Sequence, residues 1–188
     1  MGWEHLHKNN EIKKQKAEQL KNEFLNKPLN EIFEYKNGEI YWKIVHPMCN
    51  NKKVGDLAGN KSSKVYFEVT IAGSPFRVHR IIWQMFNGPI PEGYYIDHID
   101  GNPSNNKLEN LRLANQKENS RNSKKPKNNT SGYKGVHWNK EKEKWQARVM
   151  INTITKHIGY FEDLIEAAKA YNEAALKYHG EFAKLNEI

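Results

Sequence analysis

The chain has 188 residues, 37% of them hydrophobic, a single cysteine and a formal net charge of +8. One cysteine excludes an internal disulfide and a cysteine-rich metal knot, so no structural zinc is expected. No apolar run approaches the roughly 20 residues that cross a bilayer, and no signal-peptide pattern opens the chain. The basic excess therefore points to a polyanionic partner in an intracellular, cytoplasmic setting, with no membrane and no protein partner indicated.

Residues 1–30 read as a polar helical segment. Lys, Glu, Gln and Asn dominate residues 9–26, with Ile12, Leu20, Phe24 and Leu25 as scattered apolar points, and Pro28 ends the pattern. Residues 39–45 and 65–71 are β-branched and aromatic runs, and Ala72-Gly73-Ser74 turns the second into residues 75–78. This predicts a small antiparallel meander. Val78 to Trp83 opens an amphipathic helix in which a packing or phosphate-contact role for His79 is supported equally with a catalytic one. His5, His7, His46 and His179 are expected at the surface.

The densest chemistry lies between residues 94 and 119. Tyr94-Tyr95-Ile96 reads as a strand, Asp100-Gly101-Asn102-Pro103 as a turn, and Asn115-Gln116-Lys117-Glu118 as a capping box that starts a helix with Asn119 in its first turn. Taken singly, these Asn, Asp and Gly residues are ordinary turn formers. Jointly, Asp97 beside His98, with Asn110 twelve and Asn119 twenty-one residues after the histidine, gives the spacing of a small metal-dependent phosphodiesterase site. Such chemistry needs a base for the attacking water and a divalent cation for the charge developing on the phosphate. Asp97 and Asn119 offer hard oxygens that suit Mg²⁺, with Mn²⁺ as the alternative, while His98 is basic near neutral pH.

These residues resemble the HNH nuclease family, in its homing and phage branch. The resemblance implies a ββα-metal unit in which Asp97 and Asn119 hold the ion, His98 is the base, and Asn110 braces the loop that aims it. Many relatives carry His at the third position. Asn119 is a neutral ligand, so metal affinity is expected to be modest.

Residues 122–131 contain no apolar side chain, so they read as a basic linker in which Lys124, Lys125 and Lys127 would track a DNA backbone. Residues 132–188 then read as three strands, 133–138, 145–151 and 154–160, followed by a helix capped at Asp163. On the second strand Trp145, Ala147, Val149 and Ile151 share one face, and Gln146, Arg148 and Met150 the other. The helix carries one stripe, Leu164, Ala168, Tyr171, Ala175 and Tyr178.

Gly132-Tyr133-Lys134-Gly135-Val136, Trp145-Gln146-Ala147-Arg148-Val149, Ile158-Gly159-Tyr160-Phe161, Glu166 to Tyr171 and Gly180 to Asn186 together resemble the APETALA2/ethylene-response-factor DNA-binding domain. The resemblance implies that the exposed sheet face lies in the major groove, with Lys134, His137, Trp138, Lys144, Arg148, Lys156 and His157 as contacts. Met150, Thr155 and His157 stand where plant members carry base-reading arginines and tryptophans, so the plant GC-rich target is not implied. Charge agrees with that face: residues 121–157 carry ten Lys and Arg against two Glu, and residues 162–188 three Lys against six acids. Lysines on an exposed sheet also serve solubility.

The expected fold is therefore α+β: a small antiparallel platform with a ββα-metal nuclease motif (residues 31–121), followed by a three-stranded sheet plus one helix (residues 132–188). The expected function is a site-directed endonuclease acting on double-stranded DNA. A nuclease module alone is expected to keep the chemistry when the chain is cut near Pro126. The rivals are a catalytically inactive DNA-binding regulator and a protein that binds or cuts RNA.

Overall fold

The computed structural model describes residues 2–46, 51–61, 65–71, 73–123, 125, 126 and 128–188. Cys49, Ala72, Lys124 and Lys127 lie outside them, as do the side chains of His5, His7 and Ile12. The chain is mixed α/β with small antiparallel sheets, in two compact units: residues 1–90 with 102–111, and residues 91–101 with 112–188.

The first unit begins with α1 (Gly2–Leu25), whose polar composition leaves Leu20 exposed and buries Phe24. Pro28 caps the short α2 (Leu29–Ile32). β1 (Phe33–Lys36) pairs with β2 (Glu39–Trp42) across Asn37-Gly38, both at positive φ, which is the type of two-residue turn that suits the twist of a hairpin. β3 (Asn60–Lys61), β4 (Phe67–Ile71) and β5 (Ser74–Arg77) form a separate three-stranded sheet. The meander expected from residues 39–45, 65–71 and 75–78 is thus corrected. Its first strand belongs to the hairpin closed by Asn37-Gly38, and Val78 already starts α3 (Val78–Asn87). Ile32, Phe33, Ile40, Trp42, Val69, Ile71, Ile81 and Ile82 make the core of this unit.

The second unit holds β6 (Tyr94–His98) and β7 (Leu111–Asn115), paired as a two-stranded sheet, and then α4 (Gln116–Arg121). The capping box forms as the sequence predicts. The Asn115 side chain accepts from the Glu118 amide at 3.0 Å, and the Glu118 carboxylate accepts from the Asn115 amide at 2.8 Å. β8 (Val136–Asn139), β9 (Lys144–Ile151) and β10 (Ile154–Phe161) form an antiparallel sheet with β9 central, and α5 (Leu164–His179) packs on one face. Ala147 and Val149 of β9 meet Ala167, Ala168, Tyr171, Ala174 and Ala175 of α5. The alanines let helix and sheet approach closely.

Two histidines expected at the surface are buried. His46 sits edge-on to Phe24 with ring centroids 5.1 Å apart, and His179, ending α5, turns back so that its Nε2 lies 2.7 Å from the Met150 carbonyl of β9. Burial holds the His179 pKa below its ordinary value, and the neutral ring packs against the sheet.

Gly135 tests the closeness of that packing. Its φ is +75°, and a Cβ there would meet the Tyr171 ring and approach the Arg148 carbonyl to 2.7 Å. Overpacking and a left-handed alanine together are expected to make Gly135→Ala destabilising by about 3 kcal/mol, read from urea unfolding. A loss below about 0.5 kcal/mol would show that α5 yields readily.

Candidate active site and nucleic-acid face

Asp97 and His98 end β6, and both are buried. A buried carboxylate must be compensated, and two residues do this. Arg112 of β7 reaches Asp97 Oδ2 through Nε at 3.0 Å and Nη2 at 2.9 Å. Asn122, just past α4, donates from Nδ2 to Oδ2 at 2.9 Å, to Oδ1 at 3.1 Å and to the His98 carbonyl at 2.8 Å. Its own backbone N–H caps α4 on the Glu118 and Ser120 carbonyls, so the helix end and the acid–histidine corner share one residue.

Arg112 is itself held. Nη1 donates to the Glu181 carbonyl at 2.6 Å, and the guanidinium lies 4.0 Å from the Phe182 ring centroid. Glu181 and Phe182 belong to the 3₁₀ turn that follows α5. Lys184 also donates to the Asp100 carbonyl at 3.0 Å. The C-terminal turn therefore supports the acid at residue 97. This revises the expectation for a chain cut near Pro126, which would lack both supports of Arg112.

Asn119 lies exposed on α4, in the same unit as Asp97 and His98. Asn110 lies in the other unit, buried in a 3₁₀ turn, where its Nδ2 donates to the Asn105 carbonyl at 2.8 Å. Among the described residues no three His, Cys, Asp or Glu side chains converge as a metal cluster. The donors present nonetheless suit a hard cation. Asp97 Oδ1 accepts from Asn122 alone among the described hydrogen bonds, leaving a lone pair, and Asn119 offers an amide oxygen. Mg²⁺ binds in this way, through one or two protein oxygens plus water and phosphate.

Exposed on the sheet face opposite α5 are Arg148 and His157, with His137 and Lys144 half-buried there, whereas Trp138 and Lys156, expected on that face, register with Trp145 and Val149 on the α5 side. Lys144 pairs with Glu162 at 2.9 Å, and Lys156 donates to the Tyr178 hydroxyl at 2.7 Å. Lys125 donates to the Gly132 carbonyl at 2.6 Å. Lys134 bonds the Arg121 carbonyl at 2.7 Å and the Ser123 carbonyl, and burial, then Lys184, pulls its pKa down to about 8. It fastens the segment after α4 to the sheet. A cavity of about 800 Å³, lined among others by Lys117, Arg121, Lys134, His137 and Arg148, runs from α4 to this face.

Arg112 and Asn122 were not among the residues singled out from sequence. An arginine at the second position of a strand carries no local signal, and Asn122 lies in a stretch that reads as linker.

Residues 76–121 match the family model described as HNH endonuclease. The chain is 50% identical over 108 residues to Protein 3.8 of Escherichia phage T7, covering 57% of this chain and 88% of that protein. It is 40% identical over 113 residues to an uncharacterized HNH endonuclease, L560, of Acanthamoeba polyphaga mimivirus, covering 60% of this chain and 58% of that one. Over 44 residues, 23% of this chain and 25% of the relative, it is 43% identical to the SPbeta prophage-derived putative HNH homing endonuclease YosQ of Bacillus subtilis. The chain thus spans less than two thirds of the last two. No solved structure matches it.

Removing Arg112 strands a buried carboxylate, so Arg112→Ala is expected to cost about 3 kcal/mol in urea unfolding. The Asp97→Ala, Arg112→Ala double variant should lose clearly less than the sum of the two single losses. Simple additivity would mean that the pair does not interact.

Proposed function

The chain belongs to the family of phage T7 Protein 3.8 and carries an HNH endonuclease domain, and from that premise we propose that it is a site-directed, metal-dependent DNA endonuclease of the homing or phage type. The observation that carries this reading is the buried Asp97–His98 corner at the end of β6, tied by Asn122 to the capped helix that presents Asn119. β6, β7 and α4 stand for the ββα-metal motif, with the domain at 31–121 and residues 1–30 as a helical extension.

His98 takes the proton of a water as that water attacks phosphorus. The P–O bond to the leaving sugar oxygen breaks, and that oxygen regains a proton from solvent. Asp97 and Asn119 would hold the divalent ion, Mg²⁺ or Mn²⁺. When bound, such an ion neutralises charge on the phosphate and on the leaving oxygen. Arg112 and Asn122 hold and orient the Asp97 carboxylate, and Asn110 braces the preceding loop.

Residues 132–188 serve as an APETALA2-type reader of double-stranded DNA, joined through the basic linker at 122–131. The support is the exposed, cation-bearing sheet face opposite α5 and the basic cavity that continues from α4. A small nuclease grips DNA with little sequence information, and a fused reader raises its effective concentration at chosen sites. The setting is the cytoplasm of a bacterial or phage-infected host cell. No helix among the described residues is long and apolar enough to cross a membrane.

Plasmid nicking tests the chemistry. His98→Ala is expected to slow Mg²⁺-dependent nicking by ~10²–10⁴-fold while duplex binding stays near wild type. Asn119→Ala should instead raise the Mg²⁺ concentration needed for half-maximal rate. Wild-type nicking by His98→Ala would reject the assignment and favour an inert DNA-binding protein.

A further inference from the structure

On the open face of the second sheet, three polar side chains from three strands join in a row. His137 of β8 stands directly across from Gln146 of β9, and His157 of β10 stands diagonal to it, opposite Arg148. His137 Nε2 lies 2.7 Å from Gln146 Oε1, and Gln146 Nε2 lies 2.8 Å from His157 Nδ1. A register shift between His157 and Gly159 accompanies this diagonal approach. The Tyr160 ring packs on the His157 ring, with centroids 4.6 Å apart.

An amide has one accepting and one donating end, so the row has a direction. Gln146 Oε1 only accepts, and His137 Nε2 must therefore carry a hydrogen. Gln146 Nε2 only donates, and His157 Nδ1 must therefore be bare. A neutral imidazole with a bare Nδ1 holds its proton on Nε2. Burial and the nearby Arg148 guanidinium hold His137 below its ordinary pKa, which keeps that ring neutral at the closed end of the row. At the other end the exposed His157 ring is left with a fixed N–H donor.

We propose that Gln146 is a specificity-determining positioning residue: by fixing the His157 tautomer it makes this ring an obligate donor toward a base edge, and the position it meets is selected against cytosine. The reason lies in the groove chemistry. Guanine, adenine and thymine each offer an acceptor in the major groove, whereas cytosine offers only its amino donor. A donor facing a donor leaves both unsatisfied. A free imidazole would escape by moving its proton to Nδ1, and the Gln146 amino group, already donating to Nδ1, opposes that move. This rests on the reading of the sheet as the DNA face.

The experiment selects bound duplexes from a randomised pool with the full chain, for wild type, Gln146→Leu, Gln146→Glu and His157→Ala, while Arg148→Ala is titrated with a fixed duplex. Wild type is expected to deplete cytosine about tenfold at one position, a difference of ~1.4 kcal/mol. Gln146→Leu and His157→Ala should each remove that depletion at the same position. Gln146→Glu accepts from both rings, so His157 gains a hydrogen on Nδ1. In long-range ¹H–¹⁵N spectra of the protein without DNA, the wild-type ring should show a bare Nδ1 and the Glu variant a protonated one. If Arg148→Ala weakens duplex binding and Gln146→Leu keeps the wild-type profile, the role given to Gln146 is wrong and the sheet remains the DNA face. If Arg148→Ala and His157→Ala both bind as wild type, the sheet reading itself fails, and this proposal falls with it. A wild-type His157 with its hydrogen on Nδ1 would also overturn it.

Discussion

The carboxylate of Asp97 is the group on which the site depends. An ionised acid out of water costs several kcal/mol unless partners replace its hydration, and this chain supplies Arg112 with two N–H donors and Asn122 with a bridging amide. Those partners come from β7 and from the end of α4, and Arg112 leans on the turn after α5. One buried charge thereby ties four separate stretches of chain within the second unit.

In the proposed reaction the same carboxylate would serve structure and chemistry through different oxygens. Oδ2 receives both Arg112 donors, while Oδ1 takes one bond from Asn122. A metal site with so few protein ligands relies on water and on substrate phosphate to complete its shell. In the proposed site, loose metal affinity would follow from this architecture, and substrate binding and metal binding would reinforce each other. The distribution of charge along the chain agrees with a polyanionic partner, since residues 121–157 carry ten Lys and Arg against two Glu and residues 162–188 three Lys against six acids.

Local signals were legible where they were strong. The capping box at Asn115 and the two faces of β9 follow from side-chain types a few residues apart, and the structure contains both. The first hairpin is hard to read although Asn37-Gly38 is a strong short-range turn signal, because the flanking strands are only four residues each. Arg112, Asn122 and the buried His46 and His179 were not legible, since each acquires its role from a residue at least ten positions away. The His137–Gln146–His157 row is of the same kind: strand faces can be read from alternation, but cross-strand neighbours need the register.

Asp97→Asn is the most direct test of the Asp97 carboxylate, because it keeps the shape of the side chain and removes the charge that both roles require. Single-turnover nicking of supercoiled plasmid, measured across a Mg²⁺ series beside urea unfolding of the same preparation, gives both readouts. Nicking is expected to fall by at least ~10²-fold at every Mg²⁺ concentration, in a protein still folded but less stable because Arg112 has lost its counter-charge. Wild-type nicking by a folded Asp97→Asn protein would contradict this and reduce Asp97 to a structural partner of Arg112.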